Sequence, residues 1–260
     1  MFTSLHRGGS GPPLVLVHGF TDTWRGWELV LPALERHHDV LAPTLPGHAG
    51  GPPLGEPGPG TLADGVEHAL DEAGFERAHI VGNSLGGYIA LQLAERGRAE
   101  SVVALAPAGG WGDFEVEHAQ VVDFFTESRE LIVNAAPYAD SIMSTPEGRR
   151  RATEFTAVRY EHIPADLLAH QLRGAARCES PALLELSERE RFPLDASRID
   201  CPLRIVWGRE DRVLPWPGAA ARWRAELPHA DWIELDGVGH CPQLDIPDET
   251  AELILGFTTT

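Results

Sequence analysis

A serine stands at the centre of a short motif, GNSLG at residues 82–86, in which glycines lie two residues to either side. The apolar run 78–82 predicts a β-strand before the serine, and residues 86–95 predict a helix after it. A sharp turn between a strand and a helix lifts a serine hydroxyl above the end of a sheet, and the glycines leave room for the backbone. The pattern predicts Ser84 as a nucleophile, with an ordinary helix-capping serine as the alternative.

A serine hydroxyl is a weak nucleophile near neutral pH, so this chemistry needs a base and an acid that orients the base. His240 lies in a glycine-containing loop after the predicted strand 231–235, and Asp211 follows the predicted strand 202–207. Because the carboxyl ends of parallel strands meet at one edge of a sheet, we expect these side chains to converge with Ser84. Serine, aspartate, histidine is also a known chain order for such a triad.

The two partner assignments have alternatives in the sequence. Glu210 is the nearest rival acid, and Asp113, after an earlier strand, is a more distant one. A turn or helix-capping role is the alternative for Asp211, and a loop histidine satisfied by its neighbours is the alternative for His240. The positions of these side chains in the fold decide between the interpretations.

The tetrahedral intermediate of acyl transfer needs hydrogen-bond donors for its negatively charged oxygen. The tripeptide HGF at residues 18–20 follows the predicted strand 14–17. We expect the backbone N–H groups of Phe20 and Leu85 to point into the same space as oxyanion donors. His18 is interpreted as a structural hydrogen-bonding residue rather than a catalytic one.

The elements that must position these residues alternate between strands and helices. This alternation predicts an α/β fold with a mostly parallel sheet that is covered by helices on both faces. Residues 43–60 are dense in glycine and proline and predict a long loop. The predicted strands are 14–17, 39–42, 78–82, 101–106, 202–207 and 231–235, and the predicted helices are 61–73, 86–95 and 218–226.

The segment 111–199 interrupts the alternation. We predict that it is a helical cap or lid inserted into a core of residues 1–110 and 200–260, with ordinary peripheral helices as the alternative. Four stretches in it have helical patterning without a convincing strand: 118–134, 147–159, 166–176 and 181–191.

The substrate is expected between the sheet edge and this insertion. Trp111, Phe124, Phe125 and Met143 are the candidate lining residues, although such spacing is also typical of a packed core. The insertion carries several arginines, and one that faces inward would clamp a substrate carboxylate. A solvated basic face is the alternative for these arginines.

Composition excludes several chemistries and partners. The formal net charge of −18 disfavours nucleic acid and anionic membranes as partners. All 21 basic residues are arginine, so no lysine is present for a Schiff base, a general base or a P-loop. The sequence has no metal-ligand motif and no dinucleotide-binding glycine motif after a strand, so we expect no metal and no cofactor.

The sequence also carries signals about location. No apolar run is long enough to cross a membrane, and the N-terminal stretch lacks a signal-peptide pattern. Cys178, Cys201 and Cys241 are odd in number and widely spaced, which disfavours a disulfide framework and suits a reducing compartment. We therefore expect a cytoplasmic protein that acts on a small molecule; the sequence does not fix its oligomeric state.

Five motifs lie in order along the chain: HGF at 18–20, LPGH at 45–48, GNSLGG at 82–87, WGREDRVLP at 207–215 and GVGHCP at 237–242. With these motifs the sequence resembles the α/β-hydrolase fold family, especially its small bacterial esterases, cofactor-free haloperoxidase-like enzymes and C–C bond hydrolases. The resemblance covers nearly the whole chain apart from the insertion, which corresponds to the family's cap. It implies that Ser84, Asp211 and His240 are nucleophile, orienting acid and general base, and that Phe20 and Leu85 are the oxyanion donors.

The sequence departs from this family's pattern in three places. The loop at residues 44–49 is altered and lengthened relative to the family's pattern. The nucleophile position holds Ser84 instead of the aspartate of dehalogenases and epoxide hydrolases, which disfavours those activities. C–C bond hydrolases often have an aromatic residue after the catalytic histidine, whereas Cys241 stands there.

The function predicted from the sequence is cofactor-independent hydrolysis of a carboxylic ester through an acyl-enzyme on Ser84. The alternatives are C–C bond hydrolysis of a vinylogous diketone acid, and lactonase or perhydrolase activity with the same three residues. A ligand receptor without turnover is least favoured, because receptors with this fold usually have a broken triad.

Overall fold

The apolar runs of the sequence form one seven-stranded sheet in the computed structural model of the protein, which describes residues 1–58 and 60–259. The strands are β1 (Leu5–Gly9), β2 (Pro13–Val17), β3 (Asp39–Pro43), β4 (Ala78–Asn83), β5 (Ala99–Leu105), β6 (Leu203–Gly208) and β7 (Asp231–Leu235). They lie in the order β1-β3-β2-β4-β5-β6-β7. The pairing of β1 with β3 is antiparallel and all the others are parallel, so the predicted α/β fold with a mostly parallel sheet is confirmed.

Helices connect the strands and cover both faces of the sheet. The α-helices are α1 (Leu31–Leu34), α2 (Thr61–Ala73), α3 (Leu85–Glu95), α4 (Phe114–Ala135), α5 (Ala139–Met143), α6 (Pro146–Thr153), α7 (Ala165–Arg177), α8 (Ser180–Glu190), α9 (Ala221–Glu226), α10 (Pro242–Asp245) and α11 (Pro247–Thr258). Short 3₁₀ turns occur at Trp24–Trp27, Ala136–Tyr138, Ala196–Arg198 and Gly218–Ala220. Within the described part of the chain, no helix is both long and apolar enough to cross a membrane.

Strand β2 shows why its sequence is an uninterrupted apolar run. Leu14 and Leu16 pack into a cluster with α1 and α11, whereas Val15 and Val17 pack on the opposite face with α2 and α3. All four side chains are fully buried, and burial of each contributes about 1.5–3 kcal/mol. A central parallel strand with helices on both faces has no polar side, so the alternation of an exposed strand is lost.

The chain between β5 and β6 contains five α-helices, α4 to α8, and no strand in residues 111–199, all of which the structure describes. These helices and the turns between them contribute to a hydrophobic cluster that includes Met143, Ile163 and Leu167. Cys241 and Leu244, from the loop and helix after β7, belong to the same cluster. The helical segment is therefore packed onto the part of the chain that carries His240.

Candidate active site

Ser84 lies at the sharp turn between β4 and α3. Its backbone angles are φ 55° and ψ −117°, outside the regions that non-glycine residues normally occupy. The Ser84 side chain makes no capping hydrogen bond to the helix that follows, so the capping role does not explain the residue. Strained backbone of this kind is concentrated at functional sites, where the surrounding structure enforces it.

The two glycines of the motif permit the chain to pass through this turn. A Cβ atom on Gly82 would lie 2.0 Å from the carbonyl oxygen of Gly86, and one on Gly86 would lie 2.1 Å from the carbonyl oxygen of Val17. Both distances are far below van der Waals contact with rigid backbone atoms. The close approach of β2, β4 and α3 thus requires glycine at both positions, as the motif predicts.

His240 and Asp211 form a buried pair at the same edge of the sheet. The Nδ1 atom of His240 lies 2.7 Å from the Oδ2 atom of Asp211, and the two residues are 4% and 5% exposed. The second carboxylate oxygen of Asp211 accepts the backbone N–H groups of Val213 (2.9 Å) and Leu214 (2.7 Å). Since the ring donates from Nδ1, its Nε2 atom is left as the basic nitrogen.

The rival acids lie elsewhere. Glu210 is exposed to solvent although it is next to Asp211 in sequence. Asp113 caps the N-terminus of α4, where its Oδ1 accepts the N–H of Val116 at 3.3 Å. Among the acids considered from the sequence, Asp211 is the one that contacts the His240 ring.

Asn83 links the serine turn to the histidine loop. Its Nδ2 group donates to the carbonyl oxygens of His240 (3.0 Å) and Leu105 (3.2 Å), and its Oδ1 atom accepts from Gln243 (3.1 Å) and from the Cys241 thiol (3.4 Å). In the residues described, no hydrogen bond joins the Ser84 hydroxyl directly to the His240 ring. In ligand-free sites this contact is often loose and tightens only when substrate binds.

Cys241, beside His240, is not placed for nucleophilic chemistry. It is buried, and burial raises the pKa of its thiol well above the usual value. The nearby carboxylates of Asp22, Asp211 and Asp245 raise that pKa further. The thiol therefore stays protonated, and it acts as a small packing group and a hydrogen-bond donor to Asn83.

Asp245, which the sequence analysis did not single out, fixes the loop in front of His240. Its side chain is 1% exposed and accepts three backbone N–H groups, from Gly239 (2.6 Å), Val158 (3.0 Å) and Arg159 (2.6 Å). No cationic side chain in residues 1–58 and 60–259 forms an ion pair with it. One carboxylate therefore joins the residue before His240 to the segment that follows α6.

Replacing Asp245 with asparagine is expected to lower kcat by about 10- to 100-fold, because a carbonyl and an NH₂ group cannot accept all three N–H donors and the His240 loop moves. Steady-state kinetics and thermal unfolding measure the effect, and a fall of about 1–3 kcal/mol in the free energy of unfolding should accompany it. The exposed Asp248→Asn change is the matched control. An Asp245→Asn protein with unchanged kcat and stability would contradict the assignment.

His18 is a structural residue, in agreement with its interpretation from the sequence. Its Nδ1 atom donates to the carbonyl oxygen of Gly19 at 2.8 Å, and its Nε2 atom accepts the N–H of Leu45 at 2.9 Å. Burial, together with the neighbouring His48, lowers the pKa of His18 well below its usual value. The ring is therefore neutral, and it holds the turn after β2 against the loop after β3.

Phe20 and Leu85, whose backbone N–H groups are the expected oxyanion donors, line the same cavity as Ser84. Neither group donates to a protein acceptor within the described residues. The residue after Phe20, Thr21, is β-branched and yet has a φ of 64°, which is strained backbone. The turn after β2 therefore contains strained backbone at Thr21, close in sequence to the unpaired N–H group of Phe20.

The cavity runs between α3, α4 and α8. Of the candidate lining residues, Trp111 and Phe125 form part of its wall. Phe124 and Met143 lie elsewhere, which corrects the expectation for both. Phe124 points along the next face of α4 onto Phe155, with ring centroids 4.8 Å apart, and Met143 is 1% exposed in the cluster around α5 and α7.

Comparisons with known proteins agree with this fold. A sequence model described as the alpha/beta hydrolase family matches residues 14–253. The protein named epoxide hydrolase EphH from Mycobacterium tuberculosis is 34% identical over 200 residues, 75% of this chain and 92% of that protein. The 2-hydroxymuconate semialdehyde hydrolase of a Pseudomonas species is 26% identical over 288 residues, 98% of this chain and 89% of that protein.

A solved structure, the bromoperoxidase from Bacillus anthracis, is similar with a TM-score of 0.78. The similarity covers 98% of this chain and 95% of the bromoperoxidase at 19% sequence identity. At that identity the likeness concerns the fold alone.

Proposed function

The chain belongs to the alpha/beta hydrolase family, and from this premise we propose that it is a cofactor-independent serine hydrolase that cleaves carboxylic esters of small molecules through an acyl-enzyme on Ser84. One observation carries the proposal. A serine on strained backbone lies on a cavity wall, and a buried carboxylate at the same sheet edge holds the His240 ring with Nε2 available as a base.

In the proposed mechanism, Nε2 of His240 takes the proton of the Ser84 hydroxyl as the oxygen attacks the ester carbonyl. The backbone N–H groups of Phe20 and Leu85 stabilise the negative charge of the tetrahedral intermediate. The proton then passes to the leaving alcohol, and a water activated by His240 hydrolyses the acyl-enzyme. Asp211 keeps the ring in the required tautomer and stabilises the imidazolium that forms.

We further propose that residues 111–199 act as a cap over a core of residues 1–110 and 200–260. Helices α4 and α8 supply the cavity wall that faces α3. The cap is tied to the histidine loop through Asp245, which accepts N–H groups from Val158 and Arg159 as well as from Gly239. A change in cap position would therefore reach His240 directly.

The similarity to a protein named epoxide hydrolase does not favour epoxide opening in this chain. A carboxylate that attacks an epoxide forms an ester, which an activated water can hydrolyse. Attack by the Ser84 hydroxyl would instead form an alkyl ether, which the same water cannot cleave. A serine nucleophile therefore suits transfer of an acyl group rather than an alkyl group.

The cavity also disfavours an acidic diketone as substrate. Such a substrate needs a cation for its carboxylate, and no arginine lies among the described residues of the cavity wall, to which Glu190 contributes a carboxylate. Three arginines of the insertion form ion pairs with other side chains. Arg150 and Arg151 pair with Glu147, and Arg173 pairs with Asp140. A substrate with an uncharged acyl group fits these observations better.

A panel of p-nitrophenyl esters from acetate to decanoate tests the proposal. The mostly apolar wall predicts turnover with kcat/KM rising from acetate toward the medium-length chains. The rate of hydrolysis is measured from the absorbance of the released p-nitrophenol at about 405 nm. A folded protein that hydrolyses none of these esters would contradict the ester hydrolase proposal.

A further inference from the structure

The cavity follows one face of α3 away from the nucleophile. Ser84, Tyr88 and Gln92 all line it, and their spacing of four residues places them in one row along the helix. Eight positions of an α-helix span about 12 Å. The cavity wall therefore connects the reacting hydroxyl with the side chain of Gln92 over roughly that distance.

Gln92 is an unusual residue for the wall of an apolar cavity. The residue is 9% exposed, and its carboxamide makes no hydrogen bond to any part of the chain that the structure describes. The carboxamide is not sealed from water, so its donor and acceptor groups are open to a polar group of a ligand in the cavity. Its neighbours on the wall include Leu62 and Ile89, neither of which can satisfy it.

Glu190, at the end of α8, lines the same cavity. One carboxylate oxygen accepts the N–H of Gly60 at 3.1 Å. The other has no hydrogen-bond partner in residues 1–58 and 60–259, and the side chain forms no ion pair there. Arg189 and Arg96 are the nearby cations, and Arg96 is bound to Asp64 and Glu67. Burial raises the pKa of Glu190, in keeping with a carboxylate that lacks a full set of partners.

The other polar side chains of the wall are already paired. The Tyr88 hydroxyl donates to the carbonyl oxygen of Pro193 at 2.8 Å. His118 lies 3.1 Å from the Ser187 hydroxyl, which in turn donates to the carbonyl of Leu184. Gln92 and Glu190 are therefore the residues whose side chains could bind a polar group of a substrate at the end of the cavity far from Ser84.

We propose that the acyl pocket binds an extended acyl chain of roughly nine or ten carbons that ends in a hydroxyl group. This inference rests on the proposed ester hydrolase function and adds its substrate class. The terminal hydroxyl donates to the Glu190 carboxylate and accepts from the Gln92 carboxamide, which satisfies both groups. A terminal carboxylate is repelled by Glu190, and a terminal ammonium can pair with Glu190 but cannot accept from the Gln92 N–H groups.

Binding to the Ser84→Ala protein tests the inference without any turnover. Methyl decanoate is compared with methyl 10-hydroxydecanoate by quenching of tryptophan fluorescence, for which Trp111 on the cavity wall is the reporter. We expect the hydroxy ester to bind about 10- to 100-fold more tightly. Equal affinities, or tighter binding of methyl decanoate, would overturn the inference whether or not the protein proves to be an ester hydrolase.

Two further substitutions in the Ser84→Ala protein show which residues cause the tighter binding of the hydroxy ester. In Gln92→Leu and in Glu190→Gln, the ratio of the two affinities should fall by at least about tenfold. Gln120→Leu makes the same chemical change at an exposed position of α4, and it should leave the ratio unaltered. A preference that survives both cavity substitutions would place recognition of the hydroxyl elsewhere and would also overturn the inference.

A parallel assay separates this inference from the proposed function. The native protein is given the p-nitrophenyl esters of decanoate, 10-hydroxydecanoate and the ten-carbon dicarboxylate. Preference for the hydroxy ester in both binding and turnover supports both proposals. If the hydroxy ester binds more tightly but no ester is hydrolysed, the proposed ester hydrolase function is refuted and the recognition site stands. If the dicarboxylate ester is hydrolysed fastest, only the proposed recognition site is refuted.

Discussion

The Ser84→Ala protein is expected to lose ester turnover by about 10⁶-fold in kcat, because Ser84 supplies the oxygen that carries the acyl group in the proposed mechanism. The fold should survive the change. Alanine fits the space of serine, and the hydroxyl makes no hydrogen bond that holds the turn. Circular dichroism and the thermal unfolding midpoint should therefore match the native protein, while p-nitrophenol release falls to the background rate.

The control for this prediction is Ser144→Ala, a change at an exposed serine after α5. It should leave kcat and KM within the error of the measurement. Substantial ester turnover by the Ser84→Ala protein would show that the reaction proceeds at another site.

The second large effect is expected for Asp211→Asn, which should reduce kcat by about 10⁴-fold at neutral pH. The asparagine amide would donate to Nδ1 of His240, and the ring proton would then sit on Nε2, where it blocks proton removal from Ser84. KM should change much less than kcat, since Asp211 is not part of the cavity wall. Steady-state kinetics with a medium-chain ester separates the two parameters.

Glu210→Gln is the matched control for Asp211→Asn, because it changes the neighbouring acid in the same way. Glu210 is exposed and makes no contact with the His240 ring, so the variant should keep its native kcat within about twofold. The opposite pattern, with Glu210→Gln inactive and Asp211→Asn active, would contradict the proposed roles.

Strong apolar patterning made most of the sheet predictable. The predicted strands 14–17, 39–42, 78–82, 101–106, 202–207 and 231–235 agree with β2 to β7 within about two residues, the usual uncertainty of element ends. Strand β1 was not predicted, because its sequence LHRGG has little apolar content and ends in glycine. It is an edge strand with alternating exposure, and its pairing with β3 depends on the rest of the sheet.

Helices were predicted less evenly. The helix at residues 61–73 coincides with α2, where Gly74 in a left-handed conformation ends the helix. The predicted helix 147–159 is longer than α6, which ends at Thr153. The chain beyond Thr153 turns to bring its N–H groups to Asp245, an interaction across 86 and 87 positions of sequence that local patterning does not contain.

The candidate site likewise contains residues that could be chosen from the sequence and residues that could not. Ser84, Asp211 and His240 could be chosen as candidates from the sequence because each lies in the turn or loop after a strand, and strand ends meet at one edge of a parallel sheet. Asn83, Asp245 and Gln92 were not singled out, because their roles depend on tertiary partners. Asp245 was the most accessible of these, since it is an acid five residues after the candidate histidine.

Helix α4 shows the limit of helical spacing as a guide to which side chains line the cavity. Phe124 and Phe125 are neighbours on α4, and successive residues of a helix point about 100° apart. One ring lines the cavity and the other packs against Phe155. Only the direction in which the helix packs on its neighbours distinguishes the two, and the sequence does not encode that direction locally.

Covalent trapping is the most direct test of an acyl-enzyme on Ser84. The native protein is incubated with a fluorophosphonate, and intact-mass and peptide mass spectrometry locate the adduct. The account predicts one adduct per chain on the peptide that contains Ser84, strongly slowed labelling in Asp211→Asn, and none in Ser84→Ala. An adduct on another residue, or ester turnover that persists while Ser84 remains unlabelled, would contradict it.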